Sequence, residues 1–297
     1  MLQFRELDEA HCEEAGPTGP LSGDDLERLV DRRVARLRED RARRARAQGL
    51  VTRARETLDR LVRTDTVERL DRSNVSDTRK LRIVRDLDRF NRMLFSYHRF
   101  FAAIEPFVRR VSAREGRPAR VLELAAGAGE FTLHCADLAR RKGLAVEVTG
   151  TDIVEAYVDA GNRNAAERGV DARFRQMNAF DLSSVAPGSY DIAFIAQSLH
   201  HFSPGQIGRM IAQSRHVCTT GFVGIDGRRS LLLLSTVPGM SLVLGSLDFA
   251  HDALLSTRKF YSDSELHLIA RTALPRESVA VRASHPGFSI VTVDFSP

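Results

Sequence analysis

The chain has 297 residues, 43% of them hydrophobic, a net charge of +5 and an isoelectric point near 9.5. That length can bury a full α/β core with a helical extension, and the basic excess is local, with 13 Arg against 5 acids between Arg28 and Arg63. Cys12, Cys135 and Cys218 are widely spaced with no Cys-x-x-Cys pairing, which argues against a disulfide framework or a cysteine zinc site, and the opening residues lack the apolar run of a signal peptide, pointing to the cytoplasm.

In chain order, residues 1–23, with Gly16-Pro-Thr-Gly-Pro20, read as a poorly ordered tail. A helix is expected from Asp24, with Leu26, Leu29, Val30, Val34 and Leu37 on one face, and a second with Val51, Leu58, Leu61 and Val62. Arg fills their other faces, as a solvated surface or as an attachment to RNA or anionic lipid. A third helix, capped by Ser76 or Asp77, is expected to run through Leu81, Val84, Leu87, Asn91 and Phe95 to Phe107. Its aromatic content suits packing on a sheet, and Asn91, Arg92, Tyr97 and His98 are candidates to roof a substrate pocket. These boundaries divide the chain into a basic helical extension (1–76), a helical cap (77–118) and a core domain (119–297).

The core begins with Val121-Leu-Glu-Leu-Ala-Ala-Gly-Ala-Gly-Glu-Phe131, an apolar strand that breaks into a small-residue turn and enters a helix over Glu130 to Arg141. Gly127 and Gly129 let the backbone fold tightly against a ligand, and the free N–H groups of the helix aim at the same place. Thr132 stands where a dinucleotide fingerprint needs its third Gly, and the turn has no Lys for a P-loop. With Glu123 at the end of the strand, the pocket suits a neutral or cationic nucleoside rather than a pyrophosphate.

Ala145 to Thr151 reads as a second strand ending in Asp152, an acid placed to accept hydrogen bonds from ribose hydroxyls. A helix over Ile153 to Arg168 leads to a third strand, Ala172 to Met177, and to Asn178-Ala-Phe-Asp181-Leu, where a side-chain amide or carboxylate can meet an adenine edge. Tyr190 to Ala196 is a fourth strand, apolar as in a covered parallel sheet, and runs into Gln197-Ser-Leu-His200-His201-Phe202. A fifth strand is expected over Phe222 to Gly227, a helix from Asp263, and a terminal hairpin of Ser278 to Ser284 with Phe288 to Phe295. Leu231 to Leu247 is strongly apolar, but Pro238, Gly239 and Gly245 interrupt it, so an apolar lid over 231–262 is expected rather than a transmembrane helix.

Glu-x-Ala-x-Gly-x-Gly (Glu123 to Gly129), Asp152, Asn178-Ala-x-Asp-Leu and Ser-Leu-His-His-Phe occur in an order and spacing that resembles class I S-adenosylmethionine-dependent methyltransferases over residues 119 to 297, in particular the small-molecule and quinone-type branch. The resemblance implies a doubly wound, Rossmann-like seven-stranded sheet behind the α-helical N-terminal extension, with S-adenosyl-L-methionine as cofactor. It assigns cofactor binding to Glu123, Ala125, Gly127, Gly129, Asp152, Ile153, Asn178, Ala179 and Gln197. Ala125 replaces the family's usual first Gly, and Asn178 stands where Asp is frequent.

Methyl transfer from a sulfonium rests on alignment of the acceptor with the methyl carbon and requires no metal, and no metal ligand set is expected here. His200 and His201 are the candidate bases, with His201 favoured, and Tyr97, His98, His251, Arg258 and Tyr261 are candidates for the acceptor. The chain lacks the Asn/Asp-Pro-Pro-Tyr/Phe run of base-amine methyltransferases and a Pro-Cys nucleophile, which disfavours nucleic acid. The greasy 231–247 segment instead favours a small hydrophobic acceptor of phenol, polyketide or quinone type, methylated at oxygen, as part of secondary metabolism. Peripheral membrane contact and a homodimer through the N-terminal helices stay open. So do two other functions: an RNA methyltransferase that uses the Arg-rich helices, and a non-catalytic methyltransferase-fold binding or assembly protein.

Overall fold

Apolar strands bounded by glycines and separated by amphipathic helices force a parallel sheet covered on both faces. The computed structural model, which describes residues 21–72 and 74–295, has that form. The reading of residues 1–20 as a tail lies outside the described residues.

Seven strands make one sheet in the order β3-β2-β1-β4-β5-β7-β6: β1 (Ala119–Glu123), β2 (Val146–Asp152), β3 (Ala172–Gln176), β4 (Tyr190–Ala196), β5 (Cys218–Gly227), β6 (Ser278–Ser284) and β7 (Phe288–Asp294). The first five are parallel, and β7 runs antiparallel between β5 and β6. Strand order reverses between β1 and β4, which places a crevice at the carboxyl ends of β1, β2 and β4, where such sheets bind ligands. The fifth strand starts four residues before its expected start, at Cys218-Thr-Thr-Gly221, because pairing with β4 outweighs the weak apolar character of those residues.

The period-2 alternation of β4 divides the core. Ala193 and Ile195 join the cluster built by α1 (Gly23–Ala47), α7 (Pro204–Val217) and α10 (Asp263–Ala273), while Ile192 and Phe194 join that of α4 (Ser96–Glu115) and α5 (Glu130–Arg141). Leu26, Val30, Val34 and Leu37 of α1 are buried, three of them completely, in the first cluster. At about 1.5 to 3 kcal/mol for each buried aliphatic side chain, α1 is held by the core.

Several Arg residues of the basic stretch are spent internally. Arg38 donates to Glu265 at 2.7 Å and Arg63 at 3.1 Å, and the guanidinium of fully buried Arg41 lies 4.0 Å from the same carboxylate. In α2 (Leu50–Val62) the expected face is inverted: Glu56 and Asp59 are buried, while Val51 and Leu61 are 75% and 73% exposed. Asp59 turns inward because Arg229, also buried, needs it. The Arg229 guanidinium donates to the Asp59 side chain and carbonyl and to the carbonyls of Arg258 and Phe260.

The expected long third helix is two: α3 (Asp77–Met93) and α4, broken at Leu94 and Phe95, with Phe95 left-handed at φ 53°. The halves serve different partners. Ile83 and Phe90 of α3 pack with Phe249, whereas Phe100, Ile104 and Phe107 of α4 pack on the sheet. The apolar segment folds as α8 (Leu231–Leu244) and α9 (Leu247–Lys259), separated at Gly245 and Ser246. Among the described residues, no helix is long and apolar enough to cross a membrane. The remaining helix, α6 (Glu155–Arg168), connects β2 to β3.

Candidate active site

A cavity of about 570 Å³ opens at the carboxyl ends of β1, β2 and β4, walled on one side by the turn that leaves β1 and roofed by Val84, Leu87 and Asn91 of α3. Gly127 has φ 56°, and a Cβ built on it would meet nothing within 4 Å: its backbone faces open cavity. Gly129 answers a different need. At φ 81° it begins α5, and a Cβ there would sit 2.0 Å from the ring of Phe174, so it allows the helix to approach β3 and does not line the cavity.

Ala125 and Gln197, both on the cavity wall, have φ 49° and 54°. A side chain in the left-handed region costs on the order of 1 to 2 kcal/mol, so Ala125 leaves a strained position in the turn that walls the cavity.

Asp152 ties the two walls together. One carboxylate oxygen accepts from the Gly127 N–H and the other from the Val154 N–H, each at 2.9 Å. Burial pushes this carboxyl above its ordinary value against those two donors. Glu123 is 3% exposed, and burial, opposed by its hydrogen bond from the Thr132 hydroxyl, raises its carboxyl to about 8. Thr132 escaped the sequence reading except as a missing Gly. Its placement in that slot, one turn into the helix and facing an acid, was the available signal. At the roof Asn91 donates to Gln197 at 2.6 Å while its own Oδ1, buried, has no partner.

Of the expected site residues, the cavity wall brings together Glu123, Ala125, Gly127, Asp152, Ile153, Asn178, Ala179, Gln197, Tyr97 and His201. Asn178 spends its side-chain oxygen on the Phe180 N–H, 3.0 Å away, closing its own turn, and Asp181 bonds to Ser183. Tyr97 donates to Asp88 at 2.8 Å, and its ring packs 4.3 Å from that of His134.

Five further expectations are corrected. His200 is buried behind the wall, its Nδ1 donating to Asp226 at 2.8 Å. His98 is exposed. His251 bonds to Asp252, Arg258 donates to the Val62 carbonyl, and Tyr261 is buried with its hydroxyl on the Phe202 carbonyl. None of these three lines the cavity; α9, which carries His251 and Arg258, packs against α8 and α3. No described residue of 231–262 lines the cavity; the roof is α3.

His201 faces the cavity with Nδ1 2.6 Å from Asp71. Burial disfavours its charge, but the bond to Asp71 and the nearby Glu68 outweigh that and hold it at about 9. The expected neutral base therefore carries its proton near pH 7. Asp71 and Glu68, which position this ring, stand in a stretch whose only legible signal was charge. Glu68 also faces His200, and the three side chains form a cluster with metal-ligand spacing.

Residues 121–221 match a family model described as a methyltransferase domain. This segment is a methyltransferase domain. It carries β1 through the start of β5 and so most of the cavity wall. Among solved structures, the plantazolicin methyltransferase BpumL in complex with SAH is 14% identical, with 90% of this chain and 100% of that chain covered and a TM-score of 0.56. The plantazolicin methyltransferase BamL, in complex with a triazolic desmethylPZN analog and SAH, is 15% identical, covering 72% and 91% at a TM-score of 0.51. The PH0226 protein from Pyrococcus horikoshii OT3 is 18% identical, covering 67% and 90% at 0.47. At such identities the likeness is one of fold, and the match to BpumL extends it into the helices before the methyltransferase domain. No curated protein matches the chain.

Proposed function

We propose that the chain transfers a methyl group from S-adenosylmethionine to an oxygen of a small, largely apolar acceptor. The observation that carries this reading is one cavity lined by two chemically different sets of residues. The Gly127 turn, Asp152 and Glu123 make one set, read as the cofactor end; apolar Leu87, Phe100 and Phe202 with the polar pair His201 and Asp71 make the other, read as the acceptor end.

The cofactor end fits an adenosyl sulfonium on three counts. Open space lies where a Cβ on Gly127 would be. Ile153 is 61% exposed at the rim, an aliphatic surface for an adenine ring to cover. Among the described residues no cation pairs with the buried Glu123 carboxyl and no donor reaches Asn91 Oδ1, so a ligand ammonium would satisfy both. When bound, the cofactor supplies an electrophilic methyl carbon. Asp152, already fixed by two backbone N–H groups, keeps spare lone pairs for ribose hydroxyls, and Gln197, held by Asn91, sits between the two ends.

At the acceptor end the apolar roof excludes water and holds the acceptor in line, while His201 and Asp71 offer the hydrogen-bonding groups that orient a hydroxyl. Acceptor size is limited by α3, whose Lys80, Val84 and Leu87 close over the cavity; this favours a small molecule over a nucleic acid strand. The reading is tested by calorimetric titration with S-adenosylmethionine and its demethylated product, followed by mass spectrometry of phenolic and quinol acceptors. Micromolar binding of both, with a methylated oxygen in the product, supports it. Absence of binding to either sinks it.

A further inference from the structure

Beside the cavity, but outside the methyl-transfer machinery, Glu68 enters from the segment before the short turn Arg69–Asp71 and is 2% exposed. Its carboxylate faces two imidazoles: Oε1 lies 3.6 Å from Nε2 of His200 and Oε2 3.9 Å from Nε2 of His201. One ligand atom from each of the three lies within 4.8 Å of the others. The far nitrogen of each ring is held by a separate carboxylate, His200 Nδ1 by Asp226 at 2.8 Å and His201 Nδ1 by Asp71 at 2.6 Å. Those bonds direct both Nε2 atoms toward Glu68. Two of the converging atoms, Glu68 Oε1 and His200 Nε2, are buried with no hydrogen-bond partner among the described residues, the Lys259 ammonium standing 3.3 Å from the first.

We propose that Glu68, His200 and His201 form a binding site for a borderline first-row divalent cation of the zinc class. Two imidazole nitrogens and one carboxylate are the donors such an ion takes, whereas magnesium and calcium favour oxygen alone. Ligand atoms around a tetrahedral zinc stand about 3.3 Å apart when its bonds are about 2.0 to 2.1 Å; the 3.6 and 3.9 Å separations are taken by different Glu68 oxygens, and the three ligand atoms, all within 4.8 Å of one another, draw together around the ion. A carboxylate on the outer nitrogen of each metal-bound histidine is the usual support of such sites, and both are in place before any ion arrives.

The charge balance agrees. Glu68 and Asp71 from one segment and Asp226 from β5 converge on the pair, and Lys259 of α9, 3.3 Å from Glu68 Oε1, offsets one of them. The ring of Phe260 closes the side behind His200, its centroid 5.1 Å away. The remaining direction is toward the cavity, which His201 and Asp71 line. The open coordination position therefore faces the end assigned above to the acceptor. An acceptor oxygen bound there would be held and polarised.

The test uses full-length protein stripped with a chelator, without S-adenosylmethionine, so its failure is separate from any failure of the methyl-transfer reading. Zinc titration should show one equivalent bound, and cobalt(II) should give the visible spectrum of a four-coordinate site with nitrogen ligands. Glu68→Gln, which keeps the shape, and His200→Ala should each weaken zinc binding by at least about 100-fold. Asp226→Asn should weaken it by about 10- to 100-fold. Each variant's melting curve checks folding. Zinc bound no more tightly by the native chain than by Glu68→Gln, or cobalt in an octahedral aqueous environment only, overturns the proposal and leaves the Lys259 ammonium as the cation that Glu68 serves.

Discussion

Glu123 and Glu265 are both buried glutamates, 3% and 0% exposed, and they take opposite charge states. Burial raises both, but at Glu265 the guanidinium groups of Arg38, Arg63 and Arg41 overcome it and hold the carboxyl well below its ordinary value. At Glu123 the Thr132 hydroxyl does not overcome it, and the carboxyl rises to about 8. The seam between α1 and α10 is electrostatically complete within the chain. At the cavity end of β1 no cation plays that part among the described residues, and a cationic ligand is the partner proposed for it. The difference separates a structural ion network from a candidate binding site more sharply than burial alone does.

The comparison can be broken at its structural side first. Glu265→Gln removes the anion from beneath three arginines, and by the cost of breaking a buried ion pair it should lose about 3 to 5 kcal/mol of stability, read from denaturant midpoints, with cofactor affinity unchanged in the folded fraction. On the cavity side, Gly127→Val places a side chain in the open space at φ 56° and should weaken S-adenosylmethionine binding by about 100-fold or more, roughly 2.7 kcal/mol, measured by calorimetry. Asp152→Ala removes the carboxylate that the Gly127 and Val154 amides hold and should cost about 1.5 to 3 kcal/mol of the same affinity.

The two glutamates also predict opposite responses to pH. The folded value of Glu265 lies below 4.5, so its contribution is present above that pH and is lost as pH falls. The folded value of Glu123 lies above 4.5, at about 8, so the protein binds more protons folded than unfolded between those values, and stability falls as pH rises through that window by up to about 1.4 kcal/mol per unit. Glu123→Gln, which mimics the protonated group, should flatten that slope in melting curves taken across the window and weaken the binding of a cationic cofactor. A slope that persists in the variant would assign it to other groups. The smallest expected effect is that of Ala125→Gly, which relieves the left-handed strain at φ 49°. It should gain about 0.5 to 1 kcal/mol of stability once the entropy of the added glycine is subtracted.

The core of the fold and the glycine-turn wall of the cavity were legible in the residues. Val121 to Gly129, Asp152 and Tyr190 to Ala196 carry their meaning in short-range patterns: apolar runs, tight glycine turns and an acid at a strand end. The acceptor end was less legible. Tyr97 and His201 were found, but His98, His251, Arg258 and Tyr261 were assigned to a cavity they do not reach, because their helices were expected to fold over the sheet opening and the roof is α3. The break at Phe95 carries no Gly or Pro to signal it. The inverted face of α2 depended on Arg229, 170 residues from Asp59.

By itself, the sequence determined which segments become strands, their parallel stacking, and the tight glycine turn on the cavity wall, since periodicity and glycine placement act within a few residues. Tertiary structure decided what the charges do. A glutamate's protonation state and an arginine's burial depend on neighbours brought from far along the chain, and desolvation is a property of the assembled interior. The same decision set Glu68 against His200 and His201 across more than a hundred residues of chain, where no local pattern foretold it.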